Sequence, residues 1–261
     1  MNKQQHLKIL KIGGKILENE LEFGTVAQTF ANWENPKILV HGGGRKASTV
    51  AKRLGITPKM HEGRRITDDA TLEVVTMVYA GWMNKKAVSH LQALGCNALG
   101  LSGADLNSIQ AHKRIVESID YGWAGDINAI NTKALLPLLQ LAITPVFCAI
   151  THDNKGQLLN TNADTIAAYL ATALATFYTV QLHYCLDKAG VLLDAADDTS
   201  LIEQINPESY KKYKLEGIIA GGMLPKLDNA FAALDAGVSE VVLSGVDNLG
   251  KGTKIRTKYN R

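Results

Sequence analysis

Five short apolar runs along the chain each end in a turn that carries glycine. Residues 7–12 lead into Gly13-Gly14, residues 37–40 into His41-Gly42-Gly43-Gly44, and residues 98–101 into Ser102-Gly103. Residues 178–186 lead into Asp187-Lys188-Ala189-Gly190, and residues 240–243 into Ser244-Gly245. Residues 144–150 make a further β-prone run, and helical patterns separate the runs. Strands that alternate with helices are joined by crossovers rather than hairpins. The expected fold is therefore α/β, with a mainly parallel sheet covered on both faces. A chain of 261 residues, 46% of them hydrophobic, is long enough to bury such a sheet.

Two helices are legible in the pattern. From about residue 68 to 94, Leu72, Val75, Tyr79, Trp82 and Met83 recur at helical spacing and read as core or subunit interface. Thr67 is the expected cap, with Asp68 and Asp69 in the first turn, where the helix dipole favours negative charge. A second helix starts near Asn162-Ala163-Asp164 and runs to about Ala175; it is apolar on nearly every side, so burial is expected. Residues 107–126 break into short polar and β-prone pieces and read as a hairpin insertion. Residues 1–177 are expected to build a small-molecule lobe, and residues 178–261 a nucleotide lobe, of a single domain.

Several function classes fall away. A net charge of +3, from 28 Lys+Arg against 25 Asp+Glu, is too balanced for a nucleic-acid footprint. The start is polar and no run approaches a membrane span, so no membrane partner and a cytoplasmic location are expected. Cys96, Cys148 and Cys185 are an odd number, far apart and each within an apolar run, which argues against disulfides and zinc. The segment Gly245-Val246-Asp247-Asn248-Leu249-Gly250-Lys251-Gly252 imitates a P-loop, but glycine stands where the motif needs Ser or Thr to hold Mg²⁺. No dinucleotide fingerprint follows a strand, and no metal-binding cluster of side chains is expected.

Glycine turns at the carboxyl ends of parallel strands can gather backbone N–H groups into an anion nest. Lys11 ends an apolar strand, where an ammonium is costly unless paired. Asp164 stands at the mouth of an apolar helix, more than a dipole effect alone requires. His41 reads as a packing residue, and Arg64 as surface.

The segments Ile9-Leu10-Lys11-Ile12-Gly13-Gly14-Lys15, Val40-His41-Gly42-Gly43-Gly44, Gly63-Arg64-Arg65-Ile66-Thr67, Asn160-Thr161-Asn162-Ala163-Asp164 and Gly221-Gly222-Met223-Leu224-Pro225-Lys226 occur in that order. Together they resemble the amino acid kinase family over about residues 8–255, in particular its branch acting on N-acylated glutamate. The resemblance implies a three-layer α/β/α sandwich around a largely parallel eight-stranded sheet, and transfer of the γ-phosphoryl of ATP to a carboxylate. Lys11 and Lys226 would flank the moving phosphoryl group, with Asp164 holding both. Gly13, Gly14, Gly43 and Gly44 would offer backbone donors, Arg65 would take a substrate carboxylate, and Asn160 would bind near the acylamino group. Asp187, Gly190, Gly222 and Met223 would line the nucleotide pocket, and Mg²⁺ would ride on the ATP phosphates. Only about six residues precede the first strand, where arginine-inhibited relatives carry an extra helix, so a homodimer without arginine feedback is implied. Arg45-Lys46, Lys188 and residues 148–152 depart from the family pattern and leave the acyl group open between acetyl and succinyl. Competing readings are a family member acting on glutamate, carbamate or a nucleoside monophosphate, and a non-catalytic sensor on the same fold.

Overall fold

Eight strands form the central sheet of the computed structural model, which describes residues 5–61, 63–194 and 196–257. They are β1 (His6–Ile12), β2 (Lys37–His41), β3 (Ala98–Leu101), β4 (Thr144–Phe147), β5 (Thr179–Cys185), β6 (Gln204–Ile205), β7 (Glu240–Ser244) and β8 (Thr253–Ile255). Their spatial order is β6-β8-β7-β5-β1-β2-β4-β3. Every pairing is parallel except β7 with β8. The fold is thus mixed α/β around a large, mostly parallel sheet, and the sheet runs unbroken through β1 and β5. Because β1 has β2 on one side and β5 on the other, the winding reverses beside β1. Such a reversal opens a crevice at the carboxyl ends of the strands.

Register assigns the two faces. Leu10 lies beside His183, and the His183 ring meets Trp33 at 4.8 Å between centroids. Lys11 lies beside Tyr184, whose hydroxyl donates to the Asp164 carbonyl at 3.4 Å. Successive residues of a strand point to opposite faces, so helix Ala163–Leu174 covers one face and the segment around Trp33 the other. On the first face, Met223–Asp235 packs beside Ala163–Leu174; on the second, Glu20–Ala31 packs beside Asn84–Ala93. Helix Ala163–Leu174 buries Ile166, Leu170 and Leu174 together with small alanines, as its all-round apolar pattern requires.

The long helical pattern after residue 68 is continuous but not uniform. Asp69–Thr76 is α-helical, Met77–Met83 is π-helical, and Asn84–Ala93 is α-helical again. Its cap is Asp68, which accepts from the Thr71 N–H at 2.9 Å, rather than the expected Thr67. Thr67 is fully buried and donates its hydroxyl to the Arg65 carbonyl at 3.1 Å. Leu72, Val75, Tyr79 and Met83 are buried, whereas Trp82 is 63% exposed and so stands outside the core. Asn84 gives its amide to the Val146 carbonyl at 2.8 Å and to His41 Nε2 at 3.2 Å, tying the helix to β2 and β4.

The hairpin expected within residues 107–126 exists and extends further. Ile109–Lys113 pairs antiparallel with Ala124–Ile130, and Ile150–His152 and Leu158–Thr161 close these into a four-stranded barrel. A second hairpin, Lys59–His61 with Arg64–Ile66, stands nearby and reaches the barrel region through a bridge from Thr67 to Gly122. Among the described residues no helix is long and apolar enough to cross a membrane.

Candidate functional site

The site begins with two charges that each sit in a poor place alone. Lys11 is the penultimate residue of β1, and its side chain is 12% exposed. Lys226 lies in the opening turns of helix Met223–Asp235, at the positive end of that helix dipole. Asp164 serves both: its Oδ1 lies 2.7 Å from Lys11 Nζ, and its Oδ2 is paired with Lys226 Nζ. Asn162 places Asp164 in the first turn of its helix by accepting from the Asp164 and Thr165 N–H groups at 2.8 and 3.1 Å. Burial pushes the Asp164 carboxyl up, but Lys11 and Lys226 outweigh it and hold the group at about 2. Lys226 is lowered by burial and by Lys11, against the pull of Asp164. One carboxylate facing two ammonium groups leaves a surplus positive charge at the junction of two helix N-termini and a strand end, an arrangement suited to phosphate.

The glycine turns form a layer beside this triad. Gly42 N–H donates to the Ile12 carbonyl at 3.2 Å, tying the turn after β2 to β1. A β-carbon on Gly14 would lie 2.7 Å from the Gly43 Cα, so the two turns touch backbone to backbone. Helix Gly44–Arg53 has no side-chain cap of its own; the Glu18 carboxylate accepts from the Lys46 N–H at 2.9 Å instead. His41 is fully buried and accepts at Nε2 from Asn84, which leaves Nδ1 to donate to the Gly42 carbonyl at 2.9 Å. Burial holds this imidazole at about 4, hence neutral, so its role is packing and orientation, as expected.

A cavity of about 250 Å³ opens between Lys11 and Asp164, the glycine layer and the barrel. Lys11, Gly13, Gly14, Gly43, Gly44, Arg65, Asn160 and Asp164 all line it. Arg65 is buried, and its Nη2 donates to the Gly44 carbonyl and to Ser48 Oγ, both at 2.8 Å. Its Nε is buried and has no partner within the chain. Asn160 donates to Thr67 Oγ1 at 3.0 Å, and Thr67 in turn braces the Arg65 carbonyl.

The wall also holds residues that sequence reasoning missed. Tyr79 reads as a core residue from its spacing. Arg64, expected to be surface, is exposed but lines the cavity, as does Arg114, which clamps Asp126 through Nε at 3.0 Å and Nη2 at 2.6 Å. The basic doublet after the third glycine signals in the wrong place, since neither Arg45 nor Lys46 lines this cavity.

A second cavity, of about 570 Å³, lies at the carboxyl ends of β1, β5 and β7. Asp187, Lys188 and Ala189 line it with Lys15 and residues 245–248, and Lys15 Nζ meets Asp187 Oδ2 at 2.6 Å. Gly190, Gly222, Met223 and Lys226 line neither cavity, Lys226 reaching the site through Asp164. Gly190 is buried, and a β-carbon there would sit 2.6 Å from both Leu201 and Thr253. The loop that imitates a P-loop leads into β8 rather than into a helix. No group of three or more His, Cys, Asp or Glu side chains among the described residues is placed to hold a metal ion. Both Asp164 oxygens already face lysines, so the chain's own donor set offers no cage for Mg²⁺.

Comparison with known proteins agrees with the geometry. The profile of the amino acid kinase family matches residues 6–244. The acetylglutamate kinase of Phocaeicola vulgatus is 51% identical over 255 residues, 97% of this chain and 99% of that one. That of Parabacteroides distasonis is 50% identical over 253 residues, 96% and 99% of the two chains. Among solved structures, N-acetylglutamate synthase from Neisseria gonorrhoeae, complexed with coenzyme A and N-acetyl-glutamate, superposes with a TM-score of 0.80 at 21% identity. The match covers 97% of this chain and 59% of that longer one, a likeness of fold.

The Asp164 pair has a signature in acid. Its carboxyl lies near 2 in the fold against an ordinary 3.8, so it contributes stability that is complete above about pH 4 and is lost as pH falls toward about 2. The gap in urea midpoint between the unaltered chain and Asp164→Asn should therefore narrow through that window. A gap that stays constant with pH would contradict a doubly ion-paired carboxylate.

Proposed function

The chain belongs to the amino acid kinase family, and from that premise we propose that it phosphorylates the side-chain carboxylate of N-acetylglutamate with ATP, the kinase step of arginine biosynthesis. The single observation that carries the reading is the sharing of Asp164 between Lys11 and Lys226, with Lys11 and Asp164 lining a cavity that Arg65 also lines.

Phosphoryl transfer asks a protein mainly for positioning and for compensation of moving charge. The acceptor carboxylate is ionised near neutral pH, so no base is needed. Asp164, held at about 2, is likewise ionised and is no base itself. Its task is to keep two ammonium groups close together against their mutual repulsion. As the bond between the β,γ-bridging oxygen and the γ-phosphorus breaks, negative charge grows on the leaving ADP, while the acceptor oxygen gives up charge to the new bond. Lys11 and Lys226 stand where both changes are felt, and the N–H groups of Gly13, Gly14, Gly43 and Gly44 supply further donors. Arg65, with its planar donors, takes the α-carboxylate, and Asn160 lies near the acylamino end. The nucleotide is assigned to the cavity at the carboxyl ends of β5 and β7, lined by Asp187; Gly190, Gly222 and Met223, which line neither cavity, enter this assignment through the family resemblance alone. Mg²⁺ would bind through ATP phosphate oxygens, with charge neutralisation as its contribution. Residues 1–177 then form the acyl-amino-acid lobe and residues 178–261 the nucleotide lobe of a cytoplasmic enzyme.

One observation favours a second reading of the acyl group. N-acetylglutamate carries two carboxylates, yet Arg64 and Arg114 line the cavity in addition to Arg65, Lys11 and Asp164. A succinyl group would bring a third carboxylate to that wall.

ADP release measured with acetylglutamate, succinylglutamate and free glutamate tests both readings. Turnover on an acylated glutamate and far less on glutamate is expected, with Lys226→Ala losing about 10²–10³-fold in kcat while still binding ATP. Equal turnover on free glutamate, or an unimpaired Lys226→Ala, would overturn the assignment. Exposed Met77 and Trp82 on the long helix are read as the covering faces of a homodimer, and a monomer in sedimentation velocity would contradict that.

A further inference from the structure

Tyr79 is 4% exposed and sits in the π-helical segment Met77–Met83. Single π turns within α-helices often mark functional positions, because they re-aim a side chain without ending the helix. Here the ring lies against the glycine layer. A β-carbon on Gly43 would meet Tyr79 Cδ1 at 2.6 Å and Cε1 at 2.9 Å, with Met83 Cγ behind at 3.5 Å. Gly14 presses on Gly43 from the other side. The order is therefore Gly14, Gly43, Tyr79 ring, with no room for a side chain between them.

The hydroxyl end points elsewhere. A β-carbon on Gly44 would lie 3.8 Å from Tyr79 Oη and 3.9 Å from Arg65 Nη2, so both groups reach the same edge of the cavity. Tyr79 Oη thus stands beside the Arg65 guanidinium, whose charge works against the rise that burial gives the phenol. A guanidinium only donates, so a tyrosine oxygen beside it can accept and leave its own proton for another acceptor. The Arg65 Nη2 is committed to the Gly44 carbonyl and to Ser48, while Nε is buried without a partner. The Tyr79 hydroxyl and the Arg65 guanidinium therefore stand together beside Gly44 on the wall of the cavity.

We propose that Tyr79 is a further substrate-positioning residue, whose ring fixes the Gly43 turn and whose hydroxyl donates to the carboxylate that Arg65 receives. This rests on the reading of the cavity as the acyl-glutamate site. The two parts of the side chain then have separable consequences. The hydroxyl acts on the bound amino acid and belongs to KM. The ring acts through the Gly43 and Gly44 N–H groups and belongs to kcat.

Steady-state kinetics of Tyr79→Phe and Tyr79→Leu read the two parts, with the urea midpoint of each variant as the check on folding. Tyr79→Phe keeps the ring, so kcat and the KM for ATP should hold while the KM for the acyl-glutamate rises roughly ten- to a hundredfold, the range for a lost hydrogen bond to a charged group. Tyr79→Leu should raise that KM equally and also lower kcat, and restoring the ring as Phe should recover kcat alone. Should the leucine variant not fold, calorimetric binding of acetylglutamate to Tyr79→Phe still decides, since weaker binding is required. An unchanged KM and affinity in an active Tyr79→Phe would overturn the role of the hydroxyl, and an unchanged kcat in folded Tyr79→Leu the role of the ring. Absence of turnover and of binding in the unaltered chain would instead defeat the functional reading on which both depend.

Discussion

One carboxylate shared by two ammonium groups holds the centre of this molecule together. Lys11 would be a costly charge at the end of a buried strand, and Lys226 a cation at the wrong end of a helix dipole. Asp164 resolves both with a single side chain, and its own helix N-terminus favours the negative charge. Removing one member of a buried ion pair leaves the partner uncompensated, typically at about 3–5 kcal/mol. Here the loss of Asp164 would leave two like charges facing each other. The triad joins β1 to two helices from later in the chain, so the same contact that organises charge also docks those helices on the sheet.

The glycine layer beside the triad follows a different logic. Neither Gly14 nor Gly43 adopts a positive φ; what each supplies is the absence of a side chain. Gly14 needs that absence because Gly43 lies against it, and Gly43 because the Tyr79 ring does. Close backbone approach brings N–H groups from two turns onto one surface, and Glu18 ties the second turn to the segment following the first. Charge on one side and amide donors on the other then leave a cavity fit for a small anionic molecule.

Much of this was legible because the signals are local. A strand followed by glycine and then a helical pattern is visible within about fifteen residues, and repeated along the chain it implies a parallel sheet. The charged residues at strand and helix ends stood out because their neighbours are apolar. Pairing across long separations left no such trace. Ile150–His152 and Leu158–Thr161 are too short to announce themselves, and they become strands only by closing onto Ile109–Lys113 and Ala124–Ile130. Tyr79 has the spacing of a core residue and is one; its reach into the cavity depends on a π turn and on Gly43, thirty-six positions away. Arg114 lies in the hairpin, where only the fold brings it to the site. Thr67 and Asp68 are both good caps, one position apart, and local preference does not separate them.

On the proposed function, Lys11 and Lys226, steered by Asp164, face the phosphoryl group as it crosses between donor and acceptor. A crystal structure with ADP, Mg²⁺, aluminium fluoride and acetylglutamate tests it most directly, because the planar fluoride occupies the place of the moving group. Both lysine Nζ atoms should lie within hydrogen-bond distance of the fluoride or its flanking oxygens, with Asp164 still between them. A fluoride bound away from these lysines, or a triad dispersed when the ligands enter, would contradict it.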